Sequence, residues 1–282
     1  MKKHIFYAII GVFLPLFANC QFWEIGVLGG GSNYIGNLSQ ETVNLGQTHP
    51  AGGAFVRYNL NSYWTLQGSV YYGFISGADS FSSDPNVKQQ NLSFRSHILE
   101  ISGTVEYNIW PYMAGNKRYN NFSSTLYPFA GLCVFNFNPE ADYKGKWVPL
   151  QPLGTQGQGT TLYNTQTKYA LTQIGIPLGL GFKHNYGGNW SLGAEIGVTK
   201  TFTPFLDDVG GGAYTPPGYL ARNVSSLSEA LSNRSGELEK DGVAIDYYAE
   251  GINRGNSTAE DWFMFAGISI SYTILPSMCY KF

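Results

Sequence analysis

The sequence predicts an all-β protein: an eight-stranded antiparallel transmembrane β-barrel with long extracellular loops. Three observations support this fold class: eight segments alternate between apolar and polar or small residues, charge is sparse, and short connections alternate with long ones. Charged residues make up 13% of the 282 residues, whereas aromatic residues make up 16%, and there are 35 glycines. Soluble domains usually carry about a quarter charged residues. The composition therefore favours strands that face lipid on one side.

Residues 1–20 are predicted to be a signal peptide, and residues 21–282 the barrel. Lys2 and Lys3 precede an apolar stretch, and Ala18 and Cys20 are small residues suited to a cleavage site before Gln21. The apolar stretch is shorter than the roughly 20 residues that a membrane-spanning helix needs. Lipidation of Cys20 is the alternative to its removal. Either route leads to the envelope, and a barrel places the protein in a Gram-negative outer membrane.

The first four segments with a period of two residues lie at 23–27, 54–59, 64–74 and 99–109. In each, we expect the apolar face to meet lipid and the polar or small face to line the interior. These apolar faces carry, in order, Trp23, Ile25 and Val27; Ala54, Val56 and Tyr58; Trp64, Leu66, Val70, Tyr72 and Phe74; and Leu99, Ile101, Val105, Tyr107 and Ile109.

The last four segments lie at 127–137, 173–183, 190–199 and 262–274. The final one is the clearest, because Trp262 and Tyr272 lie ten residues apart on its apolar face. That separation roughly matches the ~25 Å apolar band of a membrane barrel. The apolar face of the segment at 127–137, expected to meet lipid like the others, carries Tyr127, Phe129, Cys133, Phe135 and Phe137.

The connections also alternate. Those at 61–63 and 184–189 are tight and that at 110–125 is intermediate, whereas 32–52, 76–92, 138–172 and 203–261 are long. Membrane barrels of even strand number place both termini and the short turns in the periplasm, and the long loops outside. The loop at 203–261 is rich in apolar and aromatic residues, and residues 228–231 could begin a short helix. We therefore expect this loop to fold as a cap.

Charged residues fall on the predicted inner face. A barrel of eight strands is just wide enough to be filled by its own side chains. Buried charges must be paired, so we predict an interior charge network that fills the lumen and conducts nothing, with a proton or ion path as the alternative. Its predicted members are Glu24, Arg57, Glu100, Glu106, Lys183 and Glu195.

Nothing in the sequence indicates catalysis, a cofactor or a metal. Ser96, His97 and Glu100 are the only local hydrolase candidates, but adjacent strand residues point to opposite faces. Asp207 and Asp208 are too few carboxylates for a full calcium site and suit a turn. A net charge of -2 gives no footprint for nucleic acid. A soluble β-sandwich or lipocalin-like barrel is the competing fold, but its outer face would carry more charge. Cys133 and Cys279 are expected to be unpaired.

Several strings resemble, in order and spacing, the PorG family, the small outer-membrane barrel of the type IX secretion system. They are WEIG at 23–26, GGGSNYIGNL at 29–38, FNFNP at 135–139, WVPLQPLGTQGQG at 147–159, LDDV at 206–209, ALSNR at 230–234, RGN at 254–256 and DWF at 261–263. The departure is Pro204-Phe205, where the family pattern has an acidic residue and a Tyr.

The resemblance implies a non-enzymatic component of a type IX protein secretion and gliding machine. Its implied partners are a PorK-like ring lipoprotein and a PorN-like periplasmic protein, which the barrel would anchor or position. The periplasmic side offers the turns at 110–125 and 184–189 and the tail at 275–282. Candidate partner-binding residues are Lys117, Arg118, Trp147, Gln151, Asp207, Asp208, Asn233, Arg234 and Arg254. The alternatives are a stand-alone surface barrel whose loops bind an external ligand or host surface, and a lipid-modifying enzyme.

Overall fold

The computed structural model describes residues 22–39, 45–114, 123–161, 167–186, 188–240, 243–244, 252–256 and 260–274. Five predictions fall on other parts of the chain and lie outside the described residues: the signal peptide, Cys20, Cys279, the Lys117–Arg118 pair and the tail. Within the described ranges, no helix is both long enough and apolar enough to cross a membrane.

The described residues form eleven strands, and eight of these strands make one closed antiparallel ring. The strands are β1 (Phe22–Ile35), β2 (His49–Asn59), β3 (Trp64–Ala78), β4 (Ser93–Tyr107), β5 (Ser124–Tyr143), β6 (Lys146–Pro149), β7 (Thr172–Asn185), β8 (Trp190–Thr201), β9 (Glu239–Lys240), β10 (Val243–Ala244) and β11 (Trp262–Ile274). Sequential neighbours pair from β1 to β4, then β4 with β5, β5 with β7, β7 with β8, β8 with β11, and β11 with β1. The predicted eight-stranded antiparallel barrel is confirmed.

Several strands continue beyond the predicted segments on the long-loop side. β1 runs through its three glycines to Ile35, and β5 has 20 residues. The end of β5 forms a hairpin with β6, whose turn residues Lys144 and Gly145 have φ of 55° and 79°. Two consecutive residues with positive φ are typical of the tight turns that match the twist of paired strands. The barrel wall therefore extends furthest at this hairpin.

The outer surface of the barrel is apolar. On seven of the eight strands the predicted lipid-facing side chains lie on the outer face, although Met264 of β11 is buried there. Trp23 is 51% exposed, for example, whereas its neighbour Glu24 is fully buried. Aromatic residues gather on the outer surface near the short turns, including the contacting pairs Trp64–Tyr107 and Trp190–Tyr272. An apolar exterior with an aromatic girdle is the arrangement of an outer-membrane β-barrel.

The predicted orientation of β5 is wrong: the face expected to meet lipid is the one that faces the lumen. Its residues Tyr127, Phe129, Cys133, Phe135 and Phe137 all point inward and are buried. The reason lies in the neighbouring strand β7. There Gly181, Gly179 and Gly175 pair with Tyr127, Phe129 and Cys133, and a Cβ at any of the three would collide with its partner's side chain. The glycines leave space in the lumen that the larger β5 side chains fill, so the alternate β5 residues face lipid.

This corrected phase predicts the effect of a charge at Leu132, the most exposed large apolar residue of β5 at 72%. Leu132 pairs with Gly103, four residues from the girdle residue Tyr107, and therefore lies well inside the apolar band. We expect Leu132→Arg to lower the free energy of unfolding in lipid by roughly 2–4 kcal/mol, the cost of a cation at that depth. Leu132→Ala should cost much less. Urea unfolding in lipid vesicles measures both, and equal effects would contradict the outward placement.

The long loops fold together over one end of the barrel. We call this assembly the cap; it comprises the described residues of loops 36–48, 79–92, 144–171 and 202–261. It contains three short helices, α1 (Pro85–Lys88), α2 (Tyr219–Asn223) and α3 (Ser226–Ser232), the last at the predicted position. Glu229 of α3 accepts hydrogen bonds from the backbone of Gly218, Leu220 and Ala221 and so joins α3 to the start of α2. Apolar side chains such as Leu206 and Leu231 are fully buried beneath these helices.

Candidate functional site

The barrel interior is organised around Arg57, whose side chain is 1% exposed. Its Nε donates to Glu106 Oε1 at 2.6 Å and its Nη1 to Glu24 Oε1 at 3.1 Å. Its Nη2 donates to the hydroxyl of Tyr127 at 2.8 Å and lies 3.5 Å from Glu195 Oε2. Glu24 and Arg57 are direct cross-strand partners on β1 and β2, so their pairing follows from the register. One guanidinium thus holds three carboxylates from three other strands.

Lys183 completes what we call the lumen network: Glu24, Arg57, Glu106, Lys183 and Glu195. Its Nζ donates to Glu106 Oε2 at 2.8 Å and lies 4.7 Å from the centre of the Tyr127 ring. The hydroxyl of Tyr127 donates to Glu195 at 3.1 Å. Five charged side chains from five strands, together with Tyr127 of β5, therefore link six strands across the middle of the lumen.

Glu100, the sixth predicted member, lies apart from the lumen network. Its carboxylate is 2% exposed and accepts a hydrogen bond from Thr199 Oγ1 at 2.9 Å, with neither Arg57 nor Lys183 in contact. The prediction that it pairs with one of these cations is wrong, because β4 carries Glu100 six residues from Glu106, further toward the long-loop end. Glu100 is thus a buried carboxylate without an ion-pair partner among the described residues.

The short-turn end of the lumen is closed by the connection that follows β4. Tyr112 turns back under the barrel and is 1% exposed, and its hydroxyl lies 2.8 Å from Ser191 Oγ. Its backbone N–H donates to the carbonyl of Ser62 in the neighbouring turn. Phe22 and Ala114 pack against it in a small apolar cluster. Side chains therefore fill the barrel at this end as well as in the middle.

Buried carboxylates hold the cap together above the lumen. The hydroxyl of Tyr34, at the end of β1, is 2.6 Å from Asp207 Oδ2 and 3.0 Å from Asp261 Oδ1. Asp261 also accepts a hydrogen bond from the backbone N–H of Leu206, and Asp207 accepts one from Val209. A single phenol thus bridges two carboxylates from opposite ends of loop 202–261.

A second group of contacts surrounds Asp208, which has φ of 64°. Its carboxylate accepts hydrogen bonds from the hydroxyls of Tyr169, at 2.7 Å, and Thr155. Arg254 Nη1 donates to the carbonyl of Asp208 at 2.8 Å and to Thr155 Oγ1 at 2.9 Å. These residues come from loops 144–171 and 202–261, so this group ties the two longest loops to each other.

The carboxyl groups of the cap are shifted toward their protonated forms. Burial raises the pKa of Asp207 to about 7, despite the hydrogen bonds from Tyr34 and Val209. Burial and the charge of Asp207 raise the pKa of Asp261 well above its usual range. Burial also raises the pKa of Asp208, against the favourable charge of Arg254. The cap therefore holds more carboxyl groups than its single buried arginine can neutralise.

The predicted partner-binding residues lie in two kinds of surroundings. Asp207, Asp208 and Arg254 are buried, with at most 3% exposure, and their polar groups serve the contacts inside the cap. This corrects their prediction as binding residues, since buried side chains are not presented to a partner. The other predicted residues that the structure describes lie on the long-loop side. There Trp147 stacks on Arg95, Gln151 donates to the carbonyl of Tyr169, and Arg234 pairs with Glu237 next to Asn233.

The residues considered for catalysis or for a disulfide bond form part of the barrel wall. Ser96 points inward, and its Oγ donates to the carbonyl of His97, whose ring lies on the outer face near Tyr72. Cys133 is buried with a free thiol. The described ranges contain no group of three or more His, Cys, Asp or Glu side chains arranged to hold a metal.

The sequence does not reveal several residues whose side chains fill the lumen or hold the cap together. Tyr34, Tyr112, Thr155 and Tyr169 are uncharged, and all four lie in predicted loops or turns, where periodicity gives no signal. The alternation of β5 on its own places Tyr127 on the lipid face, which is wrong. The signal that was available for Tyr127 was the row of alternate glycines at 175, 179 and 181, which marks space in the lumen.

The backbone is similar to several solved outer-membrane proteins. Ail, the attachment invasion locus protein of Yersinia pestis, solved in complex with the heparin analogue sucrose octasulfate, shares 9% identity at a TM-score of 0.42, over 91% of this chain and 100% of that one. Neisserial surface protein A shares 8% identity at a TM-score of 0.38, over 89% and 96%. OprG from Pseudomonas aeruginosa shares 8% identity at a TM-score of 0.37, over 91% and 97%.

No curated protein matches the sequence. A family model described as Domain of unknown function (DUF6089) matches residues 3–215. Because this match covers well over half of the 282 residues, the chain belongs to the DUF6089 family.

Proposed function

We propose that this protein is a non-enzymatic outer-membrane barrel that anchors or positions the periplasmic ring of a type IX protein secretion and gliding machine. The observation that carries the proposal is closure of the barrel along its whole length. Tyr112 fills the short-turn end, the lumen network fills the middle, and the cap covers the long-loop end. A barrel filled in this way suits anchoring better than transport through its own lumen.

The link to type IX secretion rests on the resemblance of the loop and strand-end strings to the PorG family. Two of these strings, LDDV and RGN, include Asp208 and Arg254, which contact each other inside the cap. A third, WVPLQPLGTQGQG, supplies Thr155 to the same contacts. The strings that resemble the PorG family thus include residues that contact each other in the cap. These contacts are one physical reason why the strings occur together. The proposed partners, a PorK-like lipoprotein and a PorN-like protein, would meet the barrel on its short-turn side.

Charge removal on opposite sides of the barrel tests the proposal. A deletion strain is complemented with wild type, with Lys117→Ala/Arg118→Ala in the short-turn connection, or with Lys144→Ala/Lys146→Ala in the β5–β6 hairpin. We expect the first variant to reduce secretion across the outer membrane several-fold and to recover less ring lipoprotein in a pull-down. The hairpin variant should behave like wild type, because it lies on the long-loop side. Unimpaired secretion by the deletion strain would exclude the proposal.

The second candidate is a stand-alone surface barrel whose loops bind an external ligand or host surface. The observation that favours it is the exposed end of the β5–β6 hairpin. There Trp147 is 43% exposed and stacks on the Arg95 guanidinium at 3.7 Å, while Lys144 and Lys146 are exposed beside it. If this function is correct, the hairpin variant loses surface binding of the ligand-bearing cell or matrix, and neither variant changes secretion.

A further inference from the structure

The inner face of the barrel carries an excess of negative charge. Among the described barrel strands, its charged side chains are four carboxylates, Glu24, Glu100, Glu106 and Glu195, and two cations, Arg57 and Lys183. The formal excess is therefore two negative charges. Five of these six side chains belong to the lumen network, and Glu100 lies apart from them. An unpaired buried carboxylate is very unfavourable, so a proton or another cation must accompany it.

A small cavity with both apolar and polar lining lies beside Glu100. It has a volume of about 20 Å³ and is lined by Gln67, Ser69 and Tyr71 of β3, Glu100, Ser102 and Thr104 of β4, and residues of the facing wall. These six residues form three successive inward-facing pairs on adjacent strands. The cavity is thus large enough for one water-sized particle, and each pair supplies it with oxygen atoms.

Two of the oxygens in this cavity have no partner. Gln67 Oε1 and Thr104 Oγ1 make no hydrogen bond to any described residue, and their residues are only 4% and 5% exposed. The two residues are direct cross-strand neighbours. The next pair, Ser69 and Ser102, have hydroxyls 2.7 Å apart. Buried polar atoms rarely lack a partner, so two such atoms beside an unpaired carboxylate indicate a bound species.

We propose that this cavity binds one hard monovalent cation of the size of Na⁺. Its ligands are the carboxylate of Glu100, the amide oxygen of Gln67 and the hydroxyl of Thr104, with the hydroxyls of Ser69 and Ser102 beside them. Hard cations select oxygen ligands of mixed type, including carboxylate, amide and water oxygens. A transition metal would need imidazole or thiolate ligands, which this wall of the cavity lacks. The site compensates part of the negative excess in the lumen, and it does not depend on the proposed function.

The test uses the full chain refolded in detergent without lipopolysaccharide, after treatment with a chelator. The unfolding midpoint is measured by heat-modifiable gel mobility at pH 8 and constant ionic strength in choline chloride, NaCl or CaCl₂. We expect Na⁺ to raise the midpoint of the wild type by several degrees relative to choline. A rise with Ca²⁺ alone would contradict the proposal. Glu100→Gln should abolish the rise. The matched control Glu140→Gln, on the same barrel but paired with Arg95 on the outside, should retain it.

Thr104→Val provides an independent variant, since it keeps the side-chain volume and removes one ligand oxygen. We expect its apparent affinity for the ion to fall about tenfold while the barrel still folds. A midpoint that is the same in all three salts for the wild type would overturn the proposal. So would an equal rise in wild type and in both cavity variants. Either result would assign the cavity to water beside a protonated Glu100.

Discussion

Replacing Arg57 by alanine is expected to lower the free energy of unfolding of the barrel by about 3–5 kcal/mol, the usual cost of breaking a buried ion pair from one side. The guanidinium contacts Glu24, Glu106 and Glu195 in a lumen without bulk water. Among the residues that the structure describes, its removal leaves Lys183 as the only cation beside these three carboxylates. The cost comes mainly from those unpaired charges rather than from the lost contacts themselves.

Heat-modifiable mobility in detergent, or urea unfolding in vesicles, measures this loss. Arg95→Ala is the matched control: its salt bridge with Glu140 is 40% and 27% exposed, so its loss should cost less than about 1 kcal/mol. Adding Glu24→Gln to Arg57→Ala should restore part of the stability, because it removes one of the unpaired carboxylates. An effect of Arg57→Ala no larger than that of Arg95→Ala would mean that the lumen network is not needed for folding.

The fold could be predicted from the sequence because lipid outside and a filled lumen inside impose a period of two on every strand. Glu24 and Arg57 could be assigned to the inner face for the same reason. Which charged residues pair with each other in the lumen could not be predicted from the sequence. Glu100 and Glu106 lie on the same face of β4, and only the tilt and stagger of the ring place one beside Arg57 and the other beside Thr199.

The phase of β5 shows where periodicity fails. Both of its faces are apolar: Leu132 and Val134 lie on one face, and Phe135 and Phe137 lie on the other. Hydrophobicity alone cannot decide which of two apolar faces meets lipid, and the prediction places the face with the larger side chains there. The decision was made by the glycines of β7, whose register with β5 is a property of the folded ring.

The sequence predicts that a cap forms, but not which of its residues contact each other. Its central hydrogen bonds join Tyr34 to Asp207 and Asp261, which are 173 and 227 residues away in the chain. No local pattern connects residues at such separations. The acidic residues of the last long loop were visible, but their burial against one phenol depends on how four loops pack together.

The buried carboxyl groups of the cap predict that it loosens as the pH rises. The pKa of Asp207 is raised by burial from an ordinary value of 3.8 to about 7, and burial and the charge of Asp207 raise that of Asp261. A carboxyl whose pKa is higher in the folded state keeps its full stabilising effect below its unfolded value and loses it as the pH rises. For Asp207 the loss runs from about pH 4 to pH 7, and is on the order of 4 kcal/mol in total.

The charged and titratable groups facing this pair come from β1 and from three loops: Tyr34, Asp79, Tyr169, Asp208 and Arg254. Asp79 has the same tendency, since burial raises its pKa to about 7. Arg254 is the one cation among them, and it contacts Asp208 rather than Asp207. The positive charge of Arg254 lowers the pKa of Asp207 but does not outweigh its burial, so it does not hold both carboxylates ionised.

Hydrogen exchange of loop 202–261, compared between pH 5 and pH 8 after correction for the intrinsic rate, measures this loosening; we expect protection to be much lower at pH 8. Asp261→Asn should flatten the dependence, because its amide can accept from Leu206 and donate to the Tyr34 hydroxyl without becoming charged. Asp84→Asn is the matched control, since Asp84 is an exposed helix cap whose bond to Asn86 an asparagine retains. Protection that is equal at both pH values, or that is lost at pH 5 instead, would contradict the role assigned to Asp207 and Asp261. At least one of the two must be protonated for a single phenol to bridge them without repulsion between two carboxylates.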